Sequence, residues 1–85
     1  MSLTLHVIEN IRKYRESRRY TQEYMGYTLG VGQNAYSKLE LGKTKLTLEQ
    51  LFSISYTLNV EPALLMRKTD KKLPKRRYKT QNDQM

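Results

Sequence analysis

The sequence predicts an all-α domain of five short helices, followed by a basic C-terminal tail. Apolar residues recur at the three- and four-residue spacing of amphipathic helices, and no segment shows the sustained two-residue alternation of a strand. Glycine, asparagine and capping residues divide this pattern into short segments. We therefore expect one compact domain over residues 1–66 and a flexible tail over residues 67–85.

The composition restricts the classes of protein that fit. The chain has 85 residues, which suits one small domain, and a formal net charge of +8. It has no cysteine and a single histidine, His6, so we expect no disulfide framework, thiol nucleophile or multi-histidine metal site. We find no candidate membrane span, signal peptide or catalytic cluster. We expect a cytoplasmic protein without a cofactor that is not an enzyme.

Much of the positive charge lies in the tail. Residues 67–85 contain eight Lys and Arg against two Asp, a net charge of +6, whereas residues 1–66 contain eight basic and six acidic residues, a net +2. The tail has few apolar residues, so burial cannot offset the entropy lost on ordering. Such a tail either improves solubility or attracts phosphate, and the sequence leaves both alternatives open.

The first helix is predicted from its apolar spacing. Leu5, Ile8, Ile11 and Tyr14 recur at three-residue steps, with Val7 beside them. This pattern is typical of a helix that packs one face against a core.

A second helix is predicted over residues 21–29. Thr21 suits the N-cap position, and Met25 and Leu29 fall on one face. Gly30 is expected to end this helix in the left-handed conformation.

The third helix is expected over residues 33–41, with Tyr36 and Leu39 inward and Gly42 after its end. Only three residues separate it from the second helix, so the two must cross steeply and need small residues where they touch. Gly26 and Ala35 are the candidates for that contact.

The fourth and fifth helices are predicted mainly from capping signals. Thr47 and Gln50 have the spacing of a capping box, Asn59 suits a left-handed helix end, and Pro62 suits a first helical turn. The residues expected to face the core are Leu48, Leu51, Ser55 and Leu58, flanked by Phe52 and Ile54, and then Leu64, Leu65 and Met66.

The segment TQEYMGYTLGVGQNAYSKLELGKTKLTLEQL resembles the helix-turn-helix of the Cro/CI-type repressors, the XRE family. IRKYR before it and LNVEPALLM after it resemble the first helix and the close of that domain, so the likeness covers residues 8–66 without a gap. The resemblance implies a compact five-helix, lambda-repressor-like bundle. Its helix-turn-helix would span about residues 21–41, with the third helix in the DNA major groove.

The resemblance also implies roles for individual residues. Those that match base-reading positions or lie beside them are Gln33, Asn34, Ser37 and Lys38. Those that match phosphate-contacting positions are Gln22, Gly32, Lys43, Thr44 and Lys45. The residue types agree with these roles, because Asn and Gln can pair with adenine and Lys favours guanine.

Arg15 and Glu40 match a pair that forms a buried ion bridge in the family. We expect this bridge to hold the recognition helix against the first helix. The alternative is two solvated charges, which are usually worth about 0–1 kcal/mol.

Four residues depart from the usual family pattern. Arg19 stands where Gly is frequent, and would be strained if that position is left-handed. Gly26 replaces Ala, at an expected cost of about 0.5–1 kcal/mol in helix stability. Gly32 replaces a Ser or Thr cap, and Tyr36 replaces Ile or Val, so its hydroxyl needs a partner or an outlet to water.

We expect a sequence-specific transcriptional regulator that binds double-stranded DNA, and we expect it to act as a homodimer. The fifth helix, residues 62–66, is our candidate for the dimer surface. Two alternatives stay open: a DNA-binding antitoxin whose tail folds on a toxin, and an adaptor that uses this fold to bind another protein.

Overall fold

The computed structural model describes residues 3–68, and it consists of five helices in that range. The helices are α1 (Leu3–Ser17), α2 (Gln22–Leu29), α3 (Gly32–Glu40), α4 (Leu48–Leu58) and α5 (Pro62–Met66). No strand occurs within the described residues, which confirms the predicted fold class. Of the predicted tail, residues 69–85 lie outside the described part of the chain.

The five helices enclose one apolar core. Its buried side chains are Val7, Ile8, Ile11, Met25, Tyr36, Leu39, Leu51, Ile54, Leu58 and Leu65. Tyr14, Tyr20 and Leu29 pack against its margin. Because every helix contributes to this core, α3 is held by burial of its inner side as well as by the chain that joins it to α2.

The predicted helix ends are confirmed, with a change at α3, which spans Gly32–Glu40 instead of the predicted residues 33–41. Thr21 accepts a hydrogen bond from the Tyr24 N–H at 3.0 Å, and Gly30 ends α2 at φ 73°. The capping box of α4 is complete, and Asn59 adopts the left-handed conformation at φ 58°. The change concerns Gly32, which is the first residue of α3 and not its cap. Its φ of 87° explains why a glycine suits this position.

Some residues predicted to face the core do not. Leu5 is exposed, because three-residue steps drift around a helix by about 60° each, so the ends of such a series face different directions. Leu48 and Met66 are also exposed, and Leu64 is only half-buried. Three consecutive residues of a helix span about 200°, so Leu64, Leu65 and Met66 cannot all turn inward.

Of the two small residues predicted to lie at the contact between α2 and α3, only one is found there. Gly26 is buried at the contact, as predicted. Ala35 is exposed, so its predicted place at the contact is wrong. It precedes the buried Tyr36 by one residue, about a quarter of a turn, and this rotation carries it off the inner face.

Asn10 is a buried polar residue that the sequence reasoning missed. Its amide nitrogen donates to the backbone oxygens of Leu65 at 2.8 Å and of Arg67 at 2.7 Å. The His6 ring also hydrogen-bonds to the Arg67 oxygen. These bonds attach the chain after α5 to α1.

Candidate nucleic-acid interface

The outer side of α3 carries the residues matched to base-reading positions. Gln33, Asn34 and Lys38 are exposed, and Ser37 is half-buried. Tyr36, Leu39 and Glu40 are buried on the other side. The helix therefore presents two amides and a cation to solvent from a backbone that the core holds in place.

Arg15 of α1 and Glu40 of α3 form a two-point ion pair. Arg15 Nε donates to Glu40 Oε2 at 2.6 Å, and Arg15 Nη2 donates to Glu40 Oε1 at 3.1 Å. The side chains are 11% and 3% exposed. Arg15 Nη1 also donates to the Tyr20 backbone oxygen at 2.8 Å, so one guanidinium joins α1, the α1–α2 turn and the end of α3.

Tyr36 also hydrogen-bonds to Glu40, which the sequence reasoning did not foresee. Its hydroxyl donates to Glu40 Oε2 at 2.6 Å, four residues away along α3. The tyrosine thus has both the buried ring and the hydroxyl partner that its position requires. The four-residue spacing was a signal that could have revealed the pair, because such side chains are neighbours on a helix.

Gln22, matched to a phosphate-gripping position, lies beside the same carboxylate. It is half-buried at the start of α2, and its Nε2 donates to Glu40 Oε1 at 3.0 Å. A primary amide carries two N–H bonds, and Glu40 accepts one of them. The carboxylate therefore fixes the orientation of the Gln22 amide.

This environment keeps Glu40 ionised at neutral pH. Burial raises the pKa of the Glu40 carboxyl, but hydrogen bonds from Arg15, Tyr36 and Gln22 outweigh that effect, so the pKa lies below its ordinary value. Burial and the bond to Glu40 raise the pKa of the Tyr36 hydroxyl, which therefore remains a proton donor. The hydrogen bond to Glu40 also raises the pKa of Arg15.

The loop after α3 carries the other residues matched to phosphate contacts. Lys43, Thr44 and Lys45 are exposed. The Lys43 N–H donates to the Lys38 backbone oxygen at 2.9 Å, and Gly42 turns the chain at φ 76°. The hydrogen bond from Lys43 attaches the loop to the C-terminal end of α3. The two loop lysines therefore follow Lys38 closely along the chain.

Two residues that flank α2, one on each side of it, were also singled out from the sequence. Gly32, matched to a phosphate position, is exposed at the start of α3. Arg19 adopts the left-handed conformation at φ 59°, so the strain expected for an arginine in that conformation is present. Residues 3–68 include no cluster of three or more potential metal-ligating side chains and no helix that could cross a membrane.

Comparison with known proteins places this architecture in a family. The helix-turn-helix family model matches residues 11–65. The chain is 34% identical over 61 residues to the SPbeta prophage-derived uncharacterized HTH-type transcriptional regulator YonR of Bacillus subtilis (strain 168), covering 72% of this chain and 56% of YonR. It is 34% identical over 59 residues to the uncharacterized HTH-type transcriptional regulator YqaE of the same organism, covering 69% of this chain and 51% of YqaE.

The chain therefore spans about half the length of these curated relatives. No solved structure matches it significantly. The family match covers most of the chain, including all of α2, α3 and α4, and it confirms the resemblance to the Cro/CI-type domains. The chain belongs to the helix-turn-helix family of the XRE type.

Proposed function

We propose that this chain is a DNA-binding transcriptional regulator that reads an operator in the major groove through α3. The observation that carries this proposal is the exposed set Gln33, Asn34 and Lys38 on a helix whose inner side is anchored by Tyr36 and Glu40. The two relatives are named as transcriptional regulators, which supports the same function. A cytoplasmic location follows from this proposal.

The chemistry of the α3 surface suits base recognition. Gln33 and Asn34 can each form paired hydrogen bonds to adenine, and Lys38 can donate to guanine. Each good bidentate contact discriminates by about 1–3 kcal/mol. Ser37, half-buried beside them, has a hydroxyl that suits either kind of base.

The residues around α3 suit phosphate contacts, which would position the helix on the duplex. Lys43 and Lys45 supply charge, and the Thr44 hydroxyl and the second N–H of Gln22 are donors. Gly32 leaves the backbone open at the start of α3. Two copies bound to an inverted repeat would place half-sites about one helical turn apart.

Selection of bound duplexes from a random DNA library, at physiological salt, tests the proposal. The expected result is an enriched motif that is lost in the combined variant Gln33→Ala, Asn34→Ala, Lys38→Ala. The control is Arg12→Ala with Lys13→Ala, since both cations are exposed on α1 and belong to neither set of proposed contacts. Enrichment that survives the triple variant would exclude reading through α3, whereas a wild-type chain that enriches no motif would favour the adaptor alternative.

A further inference from the structure

The turn between α1 and α2 carries an exposed arginine whose side chain has no partner within the described chain. Arg19 lies at the surface, and its guanidinium forms no hydrogen bond or ion pair with residues 3–68. The neighbouring Arg18 differs, because its guanidinium lies 5.3 Å from the centre of the Tyr14 ring and donates to Ser17 Oγ at 3.3 Å. The N–H donors of Arg19 are therefore available to a ligand.

The backbone of Arg19 is held in a conformation that an arginine side chain opposes. Its φ of 59° lies in the left-handed region, where the Cβ atom crowds the following carbonyl oxygen. Glycine has no Cβ atom and would remove this strain. The Arg19 side chain makes no hydrogen bond or ion pair within residues 3–68 that would offset it. Strained residues that persist in proteins cluster at functional sites, which indicates that this side chain acts on a ligand.

Other side chains fix the position of this turn relative to α3. Arg15 Nη1 donates to the Tyr20 backbone oxygen at 2.8 Å, while its other two guanidinium nitrogens bind Glu40 of α3. The Tyr20 ring packs against the margin of the core, and its centre lies 4.7 Å from that of the Tyr24 ring. The backbone that carries Arg19 is therefore attached to the helix that carries the proposed base contacts.

The part of the proposed DNA interface around α2 lacks other cations. Residues 20–37 contain no Lys or Arg, so Gln22 and Gly32 offer only neutral donors to phosphate. The loop after α3, by contrast, supplies two lysines. Arg19 precedes Gln22 by three residues, and it is the cation nearest to that residue along the chain.

We propose that Arg19 contacts a phosphate of the DNA backbone, close to the phosphate proposed for Gln22. This inference rests on the proposed function and adds a residue to its phosphate contacts. A guanidinium can donate two parallel hydrogen bonds to one phosphate, and each phosphate that a cation neutralises makes binding more sensitive to salt. The left-handed strain at residue 19 then accompanies the placement of a cation at this point of the interface.

Arg19→Gly tests the inference, because it is expected to change stability and DNA binding in opposite directions. The glycine relieves the left-handed strain, so the midpoint of urea denaturation should rise. The probe for binding is a mixed-sequence duplex of about two helical turns, and the slope of its log affinity against log salt should fall by about 1. Arg19→Asn, which also tolerates the left-handed conformation, should have the same effect on the slope. A surface arginine without a ligand would change stability and leave the slope unaltered.

Three variants serve as controls. Arg19→Lys keeps both the cation and the strain, so it should keep the salt slope of the wild type. Arg12→Ala removes one charge from an exposed residue of α1 and should leave the slope nearly unchanged. Asn59→Gly replaces the other left-handed residue that is not glycine within residues 3–68, at the end of α4, and should not weaken DNA binding.

Three results would overturn the inference. They are an Arg19→Gly chain with the salt slope of the wild type, an equal fall of the slope in Arg12→Ala, and a wild-type chain that binds no duplex even at low salt. The last result would contradict the proposed function as well. Failure of operator reading alone is distinguishable, because a phosphate contact needs no particular base sequence. A chain that selects no motif, but whose slope on the mixed-sequence duplex falls in Arg19→Gly, would support the Arg19 contact.

Discussion

Gly26 of α2 lies directly against the backbone of Gly32, the first residue of α3. A Cβ atom on Gly26 would be 2.3 Å from the Gly32 oxygen and 2.4 Å from its carbonyl carbon. Since these are backbone atoms, no side chain can turn away to make room. The two helices approach this closely because residue 26 has no side chain.

Gly26→Ala is therefore expected to destabilise the fold. Helix propensity alone would favour alanine by about 0.5–1 kcal/mol, but overpacking of this kind costs about 1–3 kcal/mol. Urea denaturation measures the net change. Ser53→Ala, at an exposed position on α4, is the control and should change stability by less than about 0.5 kcal/mol. If Gly26→Ala made the protein more stable, α2 and α3 could move apart to admit the methyl group without a loss of free energy.

Arg15→Ala is expected to lower the free energy of unfolding by about 3 kcal/mol or more. The substitution leaves Glu40, 3% exposed, without its cationic partner, and an unpaired buried charge is strongly destabilising. Chemical denaturation at neutral pH provides the measurement. Arg12→Ala, an exposed arginine on the same helix, should have little effect. If Arg15→Ala lowered the free energy of unfolding by less than about 0.5 kcal/mol, the pair would contribute no more than an exposed surface ion pair does.

Glu40→Gln is expected to destabilise the protein in a pH-dependent way. The folded state lowers the pKa of Glu40, so the carboxylate stabilises the fold fully above its unfolded pKa of about 4.3. That contribution is lost as the pH falls through the lower, folded pKa. The difference in stability between wild type and Glu40→Gln should therefore be large at pH 7 and shrink below about pH 4.

Denaturation curves at several pH values between 7 and 3 measure this difference. Glu49→Gln is the control, since Glu49 is exposed on α4. If the difference in unfolding free energy between wild type and Glu40→Gln stayed constant from pH 7 to pH 3, the ionised carboxylate would not be the stabilising form.

Asn10→Ala is expected to destabilise the fold by about 1–3 kcal/mol, because it leaves the Leu65 oxygen, and in part the Arg67 oxygen, without a donor. Amide hydrogen exchange should also show faster opening of α5, whose attachment to α1 depends on this side chain. Asn34→Ala, at an exposed asparagine, is the control for stability alone. Unchanged exchange in α5 would mean that Leu65 packing suffices to hold it.

Replacing Lys43 and Lys45 together by Ala is expected to reduce the salt dependence of DNA binding. Two phosphate contacts fewer should lower the slope of log affinity against log salt by about 2, without changing the preferred sequence. Binding titrations at several salt concentrations measure the slope. The pair Arg12→Ala and Lys13→Ala removes the same charge from α1 and should leave the slope nearly unchanged. If both pairs of substitutions changed the slope equally, the net charge of the protein alone, and not contacts from the loop, would attract the DNA.

Local signals in the sequence determined the helices and their ends. Thr21, Gly30, Thr47 and Asn59 act on backbone groups within a few residues of themselves, so their roles can be inferred without knowing the fold. The pairing of Arg15 with Glu40 was expected only from the family resemblance, because no local rule connects residues 25 positions apart.

The tertiary structure decided which residues lie together and which apolar residues remain outside. Periodicity places Leu48 and Phe52 near the inner face of α4, but the rotation of that helix depends on what α1, α2 and α5 present to it, and both side chains end up exposed. The bonds from Asn10 to the chain after α5, and from Tyr36 and Gln22 to one carboxylate, likewise depend on helix crossings. These crossings are set by packing among all five helices, which no local sequence pattern encodes.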